Sequence, residues 1–117
     1  MKRNMKQWVA DTIAAPVKQA MPVLSFPAIQ LMGITVKDLI SSSDLQAKGM
    51  KLIADRTKTA ASVSLMDLSI EAECFGSEIH VSVDEVPTVV GSIVSSEVEA
   101  DALKVPEVGS RRTGIYI

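Results

Sequence analysis

The chain has 117 residues, of which 47% are apolar and 22% charged, and its formal net charge is −2 at pH 7. This length allows one domain, and the composition excludes a disordered tail. The negative charge and the aromatic fraction of 3% leave neither the basic surface nor the stacking side chains that nucleic-acid binders use. No apolar stretch approaches the roughly 20 residues of a membrane span. Cys74, the single cysteine, excludes an internal disulfide and is typical of a reducing compartment. We therefore expect a cytoplasmic globular chain with no nucleic-acid or membrane partner.

The first half of the chain is predicted to hold two helices separated by an extended apolar run. Apolar residues recur at helical spacing over 4–15 and again over 43–56, and Asn4 is the candidate N-cap of the first helix. Between them, the apolar run 21–27 contains two prolines, which favour a short strand-like entry. Gly49 lies on the apolar face of the second helix, where glycine costs roughly 1 kcal/mol relative to alanine. We therefore expect a neighbouring element to pack closely against Gly49.

In the second half the spacing changes from helical to alternating. Every second residue is apolar over much of 59–66, which predicts a strand, and Asp67 follows it directly. A short helix is predicted over 68–75, a β-hairpin across 79–94 and a last short helix over 97–103. The order of these elements predicts an α/β fold in a single unit, residues 1–117.

Few side chains have a spacing that points to chemistry, and Asp67 is the most informative of them. A carboxylate between a strand and a helix can be the N-cap of that helix and, at the carboxyl end of a parallel strand, it can be part of an α/β active site; the two roles are not exclusive. The residues alone leave both interpretations open. His80 and Cys74 are too few to form a zinc site within the chain. The pair Arg111 and Arg112 could bind an anion, but a basic pair of this kind is more often simply solvated.

Several segments, taken in order, carry a resemblance to a known family. They are Met21–Ala28, Ala60–Gly76, Glu78–Val83 together with Pro87, and Leu103–Pro106. In this order and spacing the chain resembles the uroporphyrinogen decarboxylase family, which includes porphyrin decarboxylases and corrinoid-dependent methyltransferases. The strand, aspartate, short helix and glycine within Ala60–Gly76 are the most specific part of the match.

The resemblance implies a (β/α)8 TIM barrel preceded by N-terminal helices, with the active site at the carboxyl ends of the strands. Such a barrel needs roughly 250 residues, so we expect this chain to be its N-terminal part, including the β-hairpin. The apolar ending 115–117 is typical of an element that continues. Because a third of a barrel leaves apolar faces and strand edges uncovered, we expect this chain alone to be inert as an enzyme and to self-associate.

The resemblance also implies site residues. Asp67 matches the aspartate that binds the pyrrole N–H groups of the tetrapyrrole in the decarboxylases, which makes it the candidate catalytic residue. Glu71 and Glu73 match an acidic pair of the methyltransferase-like branch, and Phe26 lies in the segment that follows the first strand. The candidate substrate- or cofactor-binding residues are therefore Asp67, Glu71, Glu73 and Phe26.

One departure from the family separates its branches. The decarboxylases hold the carboxylates of their substrate with arginines after the first strand, whereas segment 25–32 contains no arginine here. The resemblance therefore favours a relative that transfers a methyl group from methylcobalamin to a thiol such as coenzyme M, with a small-molecule substrate or a corrinoid protein as partner. Zinc and a corrinoid would then serve the full-length parent, with the zinc ligands beyond Ile117 and no cofactor within this chain. The alternatives are a true uroporphyrinogen decarboxylase and a non-catalytic α/β interaction domain.

Overall fold

The computed structural model describes residues 2–116, which form seven helices and one antiparallel pair of strands. The helices are α1 (Met5–Ala14), α2 (Ala28–Met32), α3 (Val36–Ile40), α4 (Ser43–Thr57), α5 (Ile70–Cys74), α6 (Glu97–Asp101) and α7 (Thr113–Tyr116), and the strands are β1 (Glu78–His80) and β2 (Thr88–Val90). The prediction that an element continues at 115–117 involves Ile117, which lies outside the described residues.

Capping side chains set the starts of the predicted helices, and the structure confirms these helices. The Asn4 side chain accepts a hydrogen bond from the Gln7 N–H at 3.2 Å at the start of α1. At α4 the N-cap is Ser42, whose hydroxyl oxygen accepts the Leu45 N–H at 3.3 Å. Each cap satisfies an amide that has no partner within its own helix. Ser96 caps α6 in the same way, so the predicted helix near 97–103 is confirmed in a shorter form.

The core lies where α2 and α3 pack against α4. It is built on four buried side chains, with partly buried ones around them: Val36, Leu39, Ile40 and Leu65, surrounded by Phe26, Ile29, Ile34, Leu45 and Tyr116. Gly49 of α4 is buried, and a Cβ at this position would lie 2.8 Å from the Ala28 Cβ of α2. The close packing predicted at Gly49 is therefore confirmed.

The predicted fold class, the N-terminal portion of a TIM barrel, is wrong. A barrel is built from parallel strands, whereas the one ladder among residues 2–116 is antiparallel, with Ile79 of β1 opposite Val89 of β2. This ladder confirms the predicted hairpin in a shorter form. The strand predicted over 59–66 is absent: the Ala60 N–H donates to the Ala20 carbonyl oxygen at 3.0 Å, but no ladder develops along this segment. Alternating side chains predict an extended backbone, while a strand also needs a partner of matching length.

The described chain is open rather than tightly packed. Its radius of gyration is 17.7 Å, against roughly 13 Å for a compact domain of this length. No residue within Met5–Ala14 is buried, so α1 contributes little to the core. Along residues 2–116, no helix has both the length and the apolar character needed to cross a membrane.

Candidate functional site

Asp67 is buried because it continues the alternation of the extended segment before it. Val63 and Leu65 point inward, whereas Ser64 and Met66 are exposed. Asp67 falls on the inward set, and its side chain is 0% exposed. The alternation of buried and exposed residues thus places this carboxylate on the buried side of the segment. A charge in such a place is stable only when it is paired and hydrogen-bonded.

The Asp67 carboxylate has a partner on each oxygen. Its Oδ1 accepts the Ser69 N–H at 2.9 Å and the Ser69 hydroxyl at 2.6 Å. Its Oδ2 accepts the Arg112 guanidinium at 2.5 Å and the Tyr116 hydroxyl at 3.3 Å. The N-cap position of α5 is Ser69, whose own side chain makes no capping hydrogen bond. The cap interpretation of Asp67 is therefore wrong in position, but the carboxylate does accept a backbone N–H at the entry to α5, as that interpretation predicts.

Arg112 joins this carboxylate to two other side chains. Its Nε donates to Glu73 Oε2 at 2.7 Å and its Nη2 donates to the Ser69 hydroxyl oxygen at 2.9 Å. The guanidinium therefore connects the segment 67–73 with the segment that leads into α7. We call Asp67, Ser69, Glu73, Arg112 and Tyr116 the Arg112 cluster.

Burial and hydrogen bonding compete in setting the charges of the Arg112 cluster. Burial raises the pKa of Asp67, but the hydrogen bonds from Ser69 and the Arg112 charge outweigh it, so the pKa lies below its usual value. Burial likewise opposes the charge of Arg112, yet Glu73 and Asp67 raise its pKa. The pKa of the Tyr116 hydroxyl is raised, first by burial and then by the Asp67 charge. Asp67 and Arg112 are thus both ionised at neutral pH, and Tyr116 is neutral.

The four predicted site residues do not form one site. Asp67 and Glu73 meet on Arg112, at 2.5 and 2.7 Å. Glu71 is exposed and lines a shallow groove of about 300 Å³ beside Cys74. Phe26 packs against the core side chains and is not hydrogen-bonded into the cluster. The structure therefore supports the grouping of Asp67 with Glu73 and leaves Glu71 and Phe26 outside it.

Sequence reasoning missed Ser69 and Tyr116, and for the pair Arg111 and Arg112 it favoured solvation over anion binding. The Arg112 side chain is only 14% exposed and binds carboxylates, whereas Arg111 is exposed. A buried carboxylate requires a cation, and that requirement was the available signal. Nothing in the spacing selects Arg112 among the twelve lysines and arginines of the chain, because 45 residues separate it from Asp67.

The described residues do not by themselves fit the cofactors that the resemblance implies. Within 2–116 no group of three His, Cys, Asp or Glu side chains could hold a metal ion. The groove beside Cys74 is walled largely by the single loop Val105–Gly109, and it does not enclose a macrocycle. No chemical step is therefore assigned to zinc or a corrinoid here.

Comparisons with known proteins add no relative. No known protein family matches the chain, and neither a curated protein nor a solved structure is significantly similar to it.

Proposed function

We propose that this chain forms part of an enzyme of the uroporphyrinogen decarboxylase family, in the branch that transfers a methyl group from methylcobalamin to a thiol. The order and spacing of Met21–Ala28, Ala60–Gly76 and Leu103–Pro106 support the family, whereas the fold does not, because residues 2–116 form no parallel strands. The observation that carries the proposal is that one guanidinium, that of Arg112, holds both Asp67 and Glu73. Two carboxylates that the resemblance singles out are thereby fixed next to each other.

The charge of the cluster favours methyl transfer over porphyrin decarboxylation. Arg112 is already held by Asp67 and Glu73, and of these two carboxylates only Glu73 reaches the surface. A porphyrinogen substrate carries many carboxylates, and at this cluster they would meet the Glu73 carboxylate rather than a free guanidinium. A neutral or electron-poor ligand that donates hydrogen bonds is better suited to this surface.

The exposed apolar side chains support a role within a larger assembly of protein. Met21 and Val23 are 55% and 58% exposed, and Met66 and Leu68, on either side of Asp67, are 52% and 81% exposed. Apolar surface of this extent is normally covered by further protein.

The test is an assay of the complete gene product that contains this sequence. Incubation with methylcobalamin and coenzyme M should demethylate the corrinoid, which is followed by its visible absorbance. At substrate concentrations well below KM, Glu73→Gln should lower the rate by about tenfold or more, since a charge-assisted hydrogen bond is worth about 1.5–3 kcal/mol. Glu85→Gln, an exposed carboxylate outside the cluster, is the matched control and should retain the full rate.

Other outcomes of that assay would reject the proposal. Turnover of uroporphyrinogen without methyl transfer would assign the chain to the decarboxylase branch. Absence of both activities would favour the non-catalytic interaction domain, for which the exposed Met66 and Leu68 are the supporting observation.

A further inference from the structure

The Asp67 carboxylate has no acceptor position left for a ligand. An ionised carboxylate offers about four lone-pair sites. Two of them take the N–H and hydroxyl of Ser69 on Oδ1, and the other two take Arg112 and Tyr116 on Oδ2. The side chain is also fully buried. A substrate or cofactor could reach Asp67 only by displacing Arg112 or Tyr116.

Glu73 differs from Asp67 in each of these respects. Its side chain is 19% exposed, and only its Oε2 is bound, by the Arg112 Nε. Among the described residues no hydrogen bond reaches its Oε1. Glu73 therefore carries the carboxylate oxygen of the cluster that a ligand can approach from outside.

We infer that Arg112 is a positioning residue, which locks Asp67 in place and leaves Glu73 as the carboxylate that meets the ligand. This inference rests on the proposed function and refines its site. The ligand group that fits the free Glu73 oxygen is a hydrogen-bond donor, neutral or cationic. Asp67 then acts through Arg112 and Ser69, and it is not a catalytic residue.

The geometry requires arginine at position 112. Three different nitrogens of the guanidinium reach three different side chains, namely Asp67, Ser69 and Glu73, at 2.5 to 2.9 Å. The planar fork of arginine makes this possible, whereas the single ammonium of lysine is a point donor on a flexible stem. Arg112→Lys should keep the charge and lose part of the geometry.

The first experiment reads the positioning role without any activity. The Asp67 carboxyl carbon is followed by NMR over a pH titration in the unchanged protein and in Arg112→Gln, Arg112→Lys and Arg111→Gln. Arg112→Gln should raise the pKa of Asp67, Arg112→Lys should raise it less, and Arg111→Gln should leave it unchanged, because Arg111 is exposed. An unchanged Asp67 pKa in Arg112→Gln, with far-UV circular dichroism showing a folded protein, overturns the positioning role. If Arg112→Gln does not fold, Arg112→Lys decides the point on the same criterion.

The second experiment locates the ligand contact by steady-state kinetics of the complete gene product. With methylcobalamin and coenzyme M as probes, Glu73→Gln should raise the KM for one of these two substrates by about tenfold at similar kcat. This is the result expected when a bond to bound substrate is lost. Asp67→Asn should instead lower the thermal midpoint and leave that KM within about threefold. A raised KM in Asp67→Asn with an unaffected Glu73→Gln overturns the assignment. If the unchanged protein transfers no methyl group, the proposed function and the Glu73 assignment both fall, while the Asp67 titration still decides the role of Arg112.

Discussion

Replacing Asp67 with asparagine tests how much stability the buried ion pair contributes. The substitution keeps the shape of the side chain but removes its charge, and its amide adds a donor where the carboxylate accepted four hydrogen bonds. Removing one partner of a buried ion pair costs about 3–5 kcal/mol when the other is left without compensation. Arg112 keeps Glu73 and is 14% exposed. We therefore expect a smaller loss, of about 2–3 kcal/mol.

The matched control is the same chemical change in an exposed ion pair. Asp55 accepts a hydrogen bond from Lys51 at 2.6 Å on the surface of α4, where the two side chains are 62% and 76% exposed. Surface pairs of this kind contribute at most about 0.5 kcal/mol. Thermal unfolding followed by circular dichroism should show a drop of about 10 °C for Asp67→Asn and almost none for Asp55→Asn. Equal shifts of the thermal midpoint in the two variants would refute the reasoning. Asp67 would then contribute no more to the stability of the fold than a solvated carboxylate does.

The same variant has a pH signature with a defined sign. The pKa of Asp67 in the folded chain lies below its usual value, chiefly because the hydrogen bonds from Ser69 and the charge of Arg112 outweigh the effect of burial. A depressed pKa stabilises the fold above the unfolded value of about 3.9, and this stability is lost as the pH falls through the folded value. The difference in stability between the unchanged chain and Asp67→Asn should therefore be full at pH 6–7 and shrink below about pH 4. A difference that grows on acidification would contradict the assignment.

Three further predictions concern packing and surface. Gly49→Ala should destabilise the chain by about 1–3 kcal/mol despite the better helix propensity of alanine, because the new Cβ would lie 2.8 Å from that of Ala28; a stabilised variant would contradict this. Leu39 is 1% exposed, so Leu39→Ala should lower the free energy of unfolding, measured in urea, by about 2–5 kcal/mol. Leu68 is 81% exposed, so Leu68→Ala should leave that free energy nearly unchanged. We also expect light scattering to show dimers or larger species, and Met66→Lys to shift them toward monomer; a monomeric unchanged chain at high concentration would remove the basis for this expectation.

Much of the local structure follows from the sequence because its causes lie within a few residues. Asn4 and Ser96 each accept an amide three residues further along, so helices α1 and α6 could be predicted at their starts. The period-two spacing before Asp67 correctly predicts which side chains face inward. The short helices α2 and α3 were missed, since five residues are too few to show a helical period.

The pairing of segments and the composition of the site were decided only by the tertiary structure. Segment 59–66 has the side-chain pattern of a strand, yet a ladder depends on a partner that local spacing cannot specify. Asp67 was singled out from its neighbours, but its partners Arg112 and Tyr116 are 45 and 49 residues away. Sequence patterns reveal which residues need a partner, because burial of a charge is costly wherever it occurs. The partner itself is selected when the chain packs, and here that packing brings the Arg112 guanidinium onto Asp67 and Glu73.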